Sequence, residues 1–165
     1  MDRRQFCCQL FGSSLALTAL TNLALGESPR LPFPGGGGAK VKWQKSLKTA
    51  QKLAIQQDKP IMIVFGATWC TYCHKLERET LGERHTAAYV DRQFIPVLLD
   101  YNKDAKAAEI LEVERLPCTI ILTPEADLLL KLEGFREPKD YQASLATALQ
   151  KRNEIQQAKA TAPTR

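Results

Sequence analysis

Two cysteines two residues apart, Cys70 and Cys73, followed at once by His74 in the stretch FGATWCTYCHKLE from Phe65 to Glu77, carry the most chemistry in this sequence. Read as Trp69-Cys70-x-x-Cys73 behind an apolar strand, they are a redox dithiol; read as Cys70-x-x-Cys73-His74, they spell a haem-attachment site with two thioether anchors and an axial histidine. The dithiol reading demands a definite geometry. A strand that ends at Ala67 and hands over to a helix beginning near Cys70 sets the first sulfur at the helix N-terminus, where free N–H groups and the positive dipole end stabilise a thiolate. Cys73, nearly one turn later, lies on the same side, close enough to bond and more shielded. Cys70 is then the attacking sulfur and Cys73 the resolving one, which releases substrate from a mixed disulfide. Glu77, one further turn along, is the candidate base for Cys73; the alternative is a solvent-facing charge within KLERE.

The elements that must position these groups show as changes of hydrophobic period. Trp43, Leu47, Ala50 and Ala54 recur at helical spacing and predict an amphipathic helix over 43–57, ended by DKP. PIMIVFGA is a continuous branched apolar run, expected as a central strand buried on both faces and parallel to a neighbour. Helix propensity continues from Cys70 to about Glu83, broken at Gly82, with a further turn or two in TAAYVDRQ. FIPVLLDY is a second buried strand, NKDAKAAEILEVE a helix, CTIILT a third strand, PEAD a turn and LLLKLEGF a fourth strand; Pro138 opens a last helix to about Lys151. This order requires an α/β fold: a mixed sheet of about four strands flanked by helices on both faces.

At 165 residues, 44% of them hydrophobic, the chain can bury one core without disulfide staples. Its charge is +5, but bases and acids interleave, as in HKLERETLGERH, which describes a solvated surface and not a nucleic-acid footprint. The N-terminus is basic, then modestly apolar from Leu10 to Leu25, and closes with Ala24-Leu25-Gly26, the layout of an export signal over residues 1–26 that is short for a membrane span. Arg3-Arg4-Gln5-Phe6 resembles the twin-arginine signal, although Cys7 and Cys8 stand where that signal prefers Leu and Lys. An uncleaved amphipathic anchor is the other reading. Residues 27–40, with three prolines and four consecutive glycines, are expected as a mobile tether, 41–152 as the folded domain and 153–165 as a polar, frayed tail. Cleavage removes Cys7 and Cys8 and leaves Cys70, Cys73 and Cys118 in an oxidising compartment.

Taken together, IMIVFGATWCTYC, LPCTIIL and EGF make the stretch from Val41 to Lys151 resemble the thioredoxin family. WCTYCHKLE is most similar to its exported members, including the C-terminal domain of the transmembrane disulfide reductase, which carry a Glu four residues after the second cysteine. The resemblance implies a thioredoxin-like fold and a thiol–disulfide oxidoreductase, an exported or periplasmic one. It also implies a cis peptide before Pro117 facing the dithiol, a Leu116 backbone that pairs with a substrate's extended chain, and Gly134 and Trp69 lining the same groove. No bound cofactor is needed. The partners it implies are protein disulfides or thiols, and a membrane reductase as electron donor if the reaction runs as reduction. Two departures stand out: Val64 occupies the place of the family's buried Asp, and Thr71-Tyr72 between the cysteines matches neither Gly-Pro nor Pro-His. Cys118 stands where relatives carry Thr, and within CTIILT it reads as a buried inert thiol, with a third redox thiol as the alternative.

Three rival readings keep their place beside this one. Haem would use Cys70, Cys73 and His74, but Met62 lies in a buried strand and His85 in a polar segment, so a sixth ligand is not evident. Zinc or copper(I) could take thiolates from Cys70, Cys73 and Cys118, yet His74, adjacent to Cys73, projects about 100° away around the helix. A binding-only module with a static Cys70–Cys73 bond is the third.

Overall fold

The computed structural model describes residues 40–44 and 46–161. The export-signal expectation for 1–26 and the tether expectation for 27–39 lie outside the described residues, as do the last four residues of the tail. Lys40 is exposed and without regular structure.

Four strands, β1 (Ile61–Gly66), β2 (Ile95–Asp100), β3 (Cys118–Leu122) and β4 (Leu128–Glu133), form one sheet in the order β2-β1-β3-β4. β1 runs parallel to β2 and antiparallel to β3, and β3 is antiparallel to β4, so the sheet is mixed. Five α-helices flank it: α1 (Leu47–Gln57), α2 (Thr71–Lys75), α3 (Arg84–Gln93), α4 (Ala105–Ile110) and α5 (Pro138–Thr161), with a π-helical turn at Leu76–Thr80 directly after α2.

Every residue of β1 is buried, as its unbroken apolar run predicts, because alternate side chains feed two separate cores. Met62 and Val64 point into one, with Leu76, Leu81, Val90, Tyr141 and Leu145 from the π turn, α3 and α5. Ile61, Ile63 and Phe65 point into the other, where Ala50 and Ala54 of α1 and Ala108 of α4 are small enough for those helices to close on the sheet. Each large aliphatic side chain so buried stabilises the fold by about 1.5–3 kcal/mol. This is the α/β arrangement expected, with helices on both faces.

Several boundaries differ from the sequence expectation; α4, for one, takes up only Ala105–Ile110 of NKDAKAAEILEVE. The first helix begins at Leu47, not Trp43: the Gln44 N–H donates to the Pro96 carbonyl at 2.8 Å in an isolated parallel bridge beside β2, and Ser46 caps α1 by accepting the Thr49 N–H at 3.2 Å. The helix after Cys70 is α only to Lys75, and the turn beyond it closes i→i+5 through the Leu81 N–H to the Leu76 carbonyl at 2.9 Å. The last helix continues ten residues beyond Lys151, through Thr161, so most of the polar segment from 153 is helical. It is held from the side by Arg152, which donates to both the Asp58 carboxylate, at 2.6 Å, and the Asp58 carbonyl, at 2.8 Å.

Candidate active site

β1 ends at Gly66 and the chain turns through Ala67, Thr68 and Trp69 before α2. Cys70 is the N-cap of α2, with extended backbone, and its sulfur accepts the Cys73 N–H at 3.1 Å. That is the placement expected from the sequence: a sulfur that takes one of the unpaired N–H groups at the positive end of a helix. The two cysteines are bonded to each other with Cα atoms 5.2 Å apart. Cys70 is 7% exposed and Cys73 2%, so the residue expected to attack is the less buried of the two. Both pack with Ala67, against Tyr101 and Leu116.

The segment carrying them is anchored from behind. Leu76 and Leu81 are buried in the core shared with α3 and α5, and the buried Thr80 hydroxyl donates to the Arg136 carbonyl at 2.6 Å. The Lys75 ammonium lies 4.2 Å from the centre of the Phe135 ring. EGF, a motif of the sequence, thus braces the dithiol helix through Phe135. Gly82 is required where the π turn ends, since a Cβ there would stand 2.5 Å from the Arg78 carbonyl oxygen.

The Leu116–Pro117 peptide is cis, as the resemblance implied, and Leu116 packs on the dithiol cluster. Gly134 donates its N–H to the Pro117 carbonyl at 2.7 Å with φ +80°, a conformation that favours glycine, so it lies beside Pro117 at the end of β4. Trp69 stands 65% exposed at the mouth of the site. Val64 is buried among Met62, Ile121 and Tyr141 in an apolar core that offers no base to Cys73.

Glu77, in the π turn, is exposed, as its solvent-facing alternative expects, yet one oxygen of its carboxylate comes near the dithiol. A Cβ placed on Gly66 would meet the Cys73 sulfur at 3.8 Å and Glu77 Oε1 at 3.7 Å, so sulfur and carboxylate flank one spot over Gly66, where glycine contributes no side chain. The spot opens into a cleft of about 300 Å³ lined by His74, Glu77, Leu98 and Asp100. The His74 Nε2–H donates to the Thr68 carbonyl at 2.9 Å, which ties the ring back to the turn before α2. Among the described residues, no group of three or more His, Cys, Asp or Glu is arranged to hold a metal ion.

Cys118, next after Pro117, is fully buried in the core shared with α1 and α4. Burial pushes its thiol up to about 11; Lys131 opposes and Glu133 adds to the effect. It is buried, as expected. Sequence reasoning passed over Gly66 and Tyr101. Their signal was position: they stand at the C-terminal ends of neighbouring parallel strands, Gly66 as the last residue of β1 and Tyr101 just past β2, where ligand clefts of α/β sheets open.

The family described as a thioredoxin-like domain matches residues 47–149. Among solved structures, the chain is similar to a DsbH oxidoreductase, at 19% identity and a TM-score of 0.62 over 76% of this chain and 94% of that one. It is similar to a thioredoxin from Thermus thermophilus, at 18% identity and 0.61 over 67% and 88%, and to a thioredoxin from Trypanosoma brucei brucei, at 18% and 0.53 over 69% and 95%. At such identities the likeness is one of fold. No curated protein matches the sequence.

Proposed function

The chain belongs to the thioredoxin-like domain family and carries a bonded Cys-x-x-Cys pair at its site, and we propose that it is an exported thiol–disulfide oxidoreductase acting on protein substrates in the reducing direction. The observation that carries the reading is Cys70 at the helix N-terminus, its sulfur receiving the Cys73 N–H at 3.1 Å and bonded to Cys73.

In the reduced protein, the Cys70 thiolate attacks one sulfur of a substrate disulfide; a Cys70–substrate bond forms, the substrate disulfide breaks, and one substrate thiolate leaves. Cys73 then loses its proton to Glu77 and attacks the Cys70 sulfur. The Cys70–Cys73 bond forms, the second substrate thiolate leaves, and two electrons have passed to the substrate. Trp69, Leu116, Pro117 and Gly134 present the groove along which the substrate lies. A membrane reductase restores the dithiol outside the cytoplasm. Export rests on the basic and apolar layout of residues 1–26, and no helix among the described residues is long and apolar enough to cross a membrane. The reducing direction rests on the likeness of WCTYCHKLE to exported reductase domains.

The test is trapping. Cys73→Ala cannot resolve, so mixed disulfides with partner proteins should accumulate through Cys70 and vanish on adding a thiol; Cys70→Ala should trap none. A Cys73→Ala chain that captures nothing would leave only the binding-module reading. Equilibration of the pair against a glutathione series gives the direction, because each ~30 mV is a tenfold change in the oxidised fraction. A pair more oxidising than glutathione would overturn the reductase assignment. Recovery of the chain outside the cytoplasm without residues 1–26 tests export.

A further inference from the structure

Beside Cys70 lies a groove of about 420 Å³ lined by Trp69, Tyr72, Tyr101, Leu116 and Glu114, and it shares no lining residue with the cleft that holds Glu77. Trp69 and Tyr72 are 65% and 62% exposed, two large rings held in solvent in the same groove as the buried Cys70. Rings left in water at that cost mark a contact surface. Tyr101 and Leu116 make the floor, packed against the Cys70–Cys73 cluster, and the Tyr101 N–H is fixed to the Gly66 carbonyl at 2.8 Å. Among the described residues, Glu114 is the only charged side chain lining this groove; it is exposed and engaged in no ion pair or hydrogen bond with any of them, while its basic neighbour Arg115 does not line the groove. The chain as a whole is +5, so this carboxylate runs against the overall charge at the place where substrate enters.

We propose that this aromatic groove selects among substrates: it takes an extended polypeptide whose reactive cysteine is flanked by an apolar or aromatic residue, with a basic residue within reach of Glu114. Tyr72, Tyr101 and Glu114 are its specificity-determining residues. The occupant must bring a sulfur, since the attacking one lies in the wall, and must bring apolar surface, since that is what the rings present. The inference rests on the oxidoreductase reading above.

The experiment uses reduced chain and short peptides whose single cysteine carries a pyridyl disulfide. Cys70 attacks the peptide sulfur, a Cys70–peptide disulfide forms, and the released thiopyridone reports the rate. Peptides with Leu or Phe beside the cysteine should react about 3–10-fold faster than those with Gly, the worth of one aromatic–apolar contact. Tyr72→Ala should abolish that advantage. The rate with bis(2-hydroxyethyl) disulfide, which has neither side chain nor charge, reports the intrinsic reactivity of Cys70 in each variant and is the reference by which the peptide rates are divided. Peptides carrying Lys should outpace those carrying Glu by about 2–5-fold at low salt, a difference that E114Q and high salt both remove. Tyr72 and Glu114 are exposed, so neither change threatens the fold. Equal rates for Leu- and Gly-flanked peptides would overturn the inference alone, as would a Tyr72→Ala chain slowed equally on the small disulfide. Failure to react with any disulfide would instead overturn the oxidoreductase reading beneath it.

Discussion

On the proposed mechanism, Glu77 and Gly66 divide one task. The resolving sulfur must lose a proton while buried, and the apolar residue at Val64 gives it nowhere to go within the sheet. Glu77 comes over the vacant face of Gly66 to the same spot as Cys73. Glu77→Gln should therefore slow resolution about 100-fold near neutral pH, the low end for a positioned base, and leave Cys70's first attack unaltered. Rapid acid quenching that separates mixed-disulfide formation from its decay measures both steps. Gly66→Val should produce the same separation by a different cause. A Cβ on Gly66 already makes ordinary contact with sulfur and carboxylate, so the branches of valine must displace the carboxylate. Its overpacking costs about 1–3 kcal/mol by urea unfolding, whereas Gly66→Ala should keep the resolving rate. A Glu77→Gln chain that resolves at the parental rate would remove Glu77 from the mechanism.

At the scale of elements, the helix that holds the dithiol owes its position to the π turn on its C-terminal side. That turn takes in an extra residue so that Leu76 and Leu81 both reach the core, and Gly82 lets the chain leave past the Arg78 carbonyl. Gly82→Ala puts a methyl 2.5 Å from that oxygen and should destabilise the protein by about 2 kcal/mol, read as a lower urea midpoint. Such packing explains what the sequence could and could not disclose. Strands were legible because branched apolar runs such as IMIVF have one stable setting, between two layers of helices. The dithiol's cap position was legible because a strand followed at once by a helix leaves only one place for Cys70. Trp43 mimicked the helical spacing of Leu47, Ala50 and Ala54, but the backbone at Gln44 gains more by bonding to Pro96 beside β2. Residues 152–161 carry no apolar period, and their helix is held by the pairing of Arg152 with Asp58, 94 residues distant along the chain, by Ile155 against the core and by Lys159 with Asp127. The π turn, and with it the exact approach of Glu77 to Gly66, depends on distant packing that no local pattern encodes.

Among the described residues, one sheet divides two large cores, and each contains an acid that folding keeps protonated. Cys118 of β3 faces the α1 and α4 side, where burial raises its thiol to about 11. Tyr141 of α5 faces the other, fully buried; burial raises its phenol well above the usual range, the hydrogen bond with Thr119 at 3.0 Å works against that, and Cys118 adds to it. The unfolded chain releases both protons first, near their ordinary values of 9 and 10. The stability these groups confer is therefore whole below about pH 9 and is lost as pH rises toward the folded values. Each group contributes a slope of up to about 1.4 kcal/mol per pH unit once its unfolded form is ionised. Urea midpoints should hold level from pH 7 to 9 in respect of these groups and fall beyond. Cys118→Ala should flatten the fall from its onset, with dithiol exchange intact. Tyr141→Phe should cost about 1–2 kcal/mol at neutral pH, because the Thr119 hydroxyl loses its partner in a dry core, yet it should flatten the fall above pH 10. An alkaline slope that survives both substitutions would place the protonated groups elsewhere, and the two buried acids would then be bystanders to the stability of the sheet they flank.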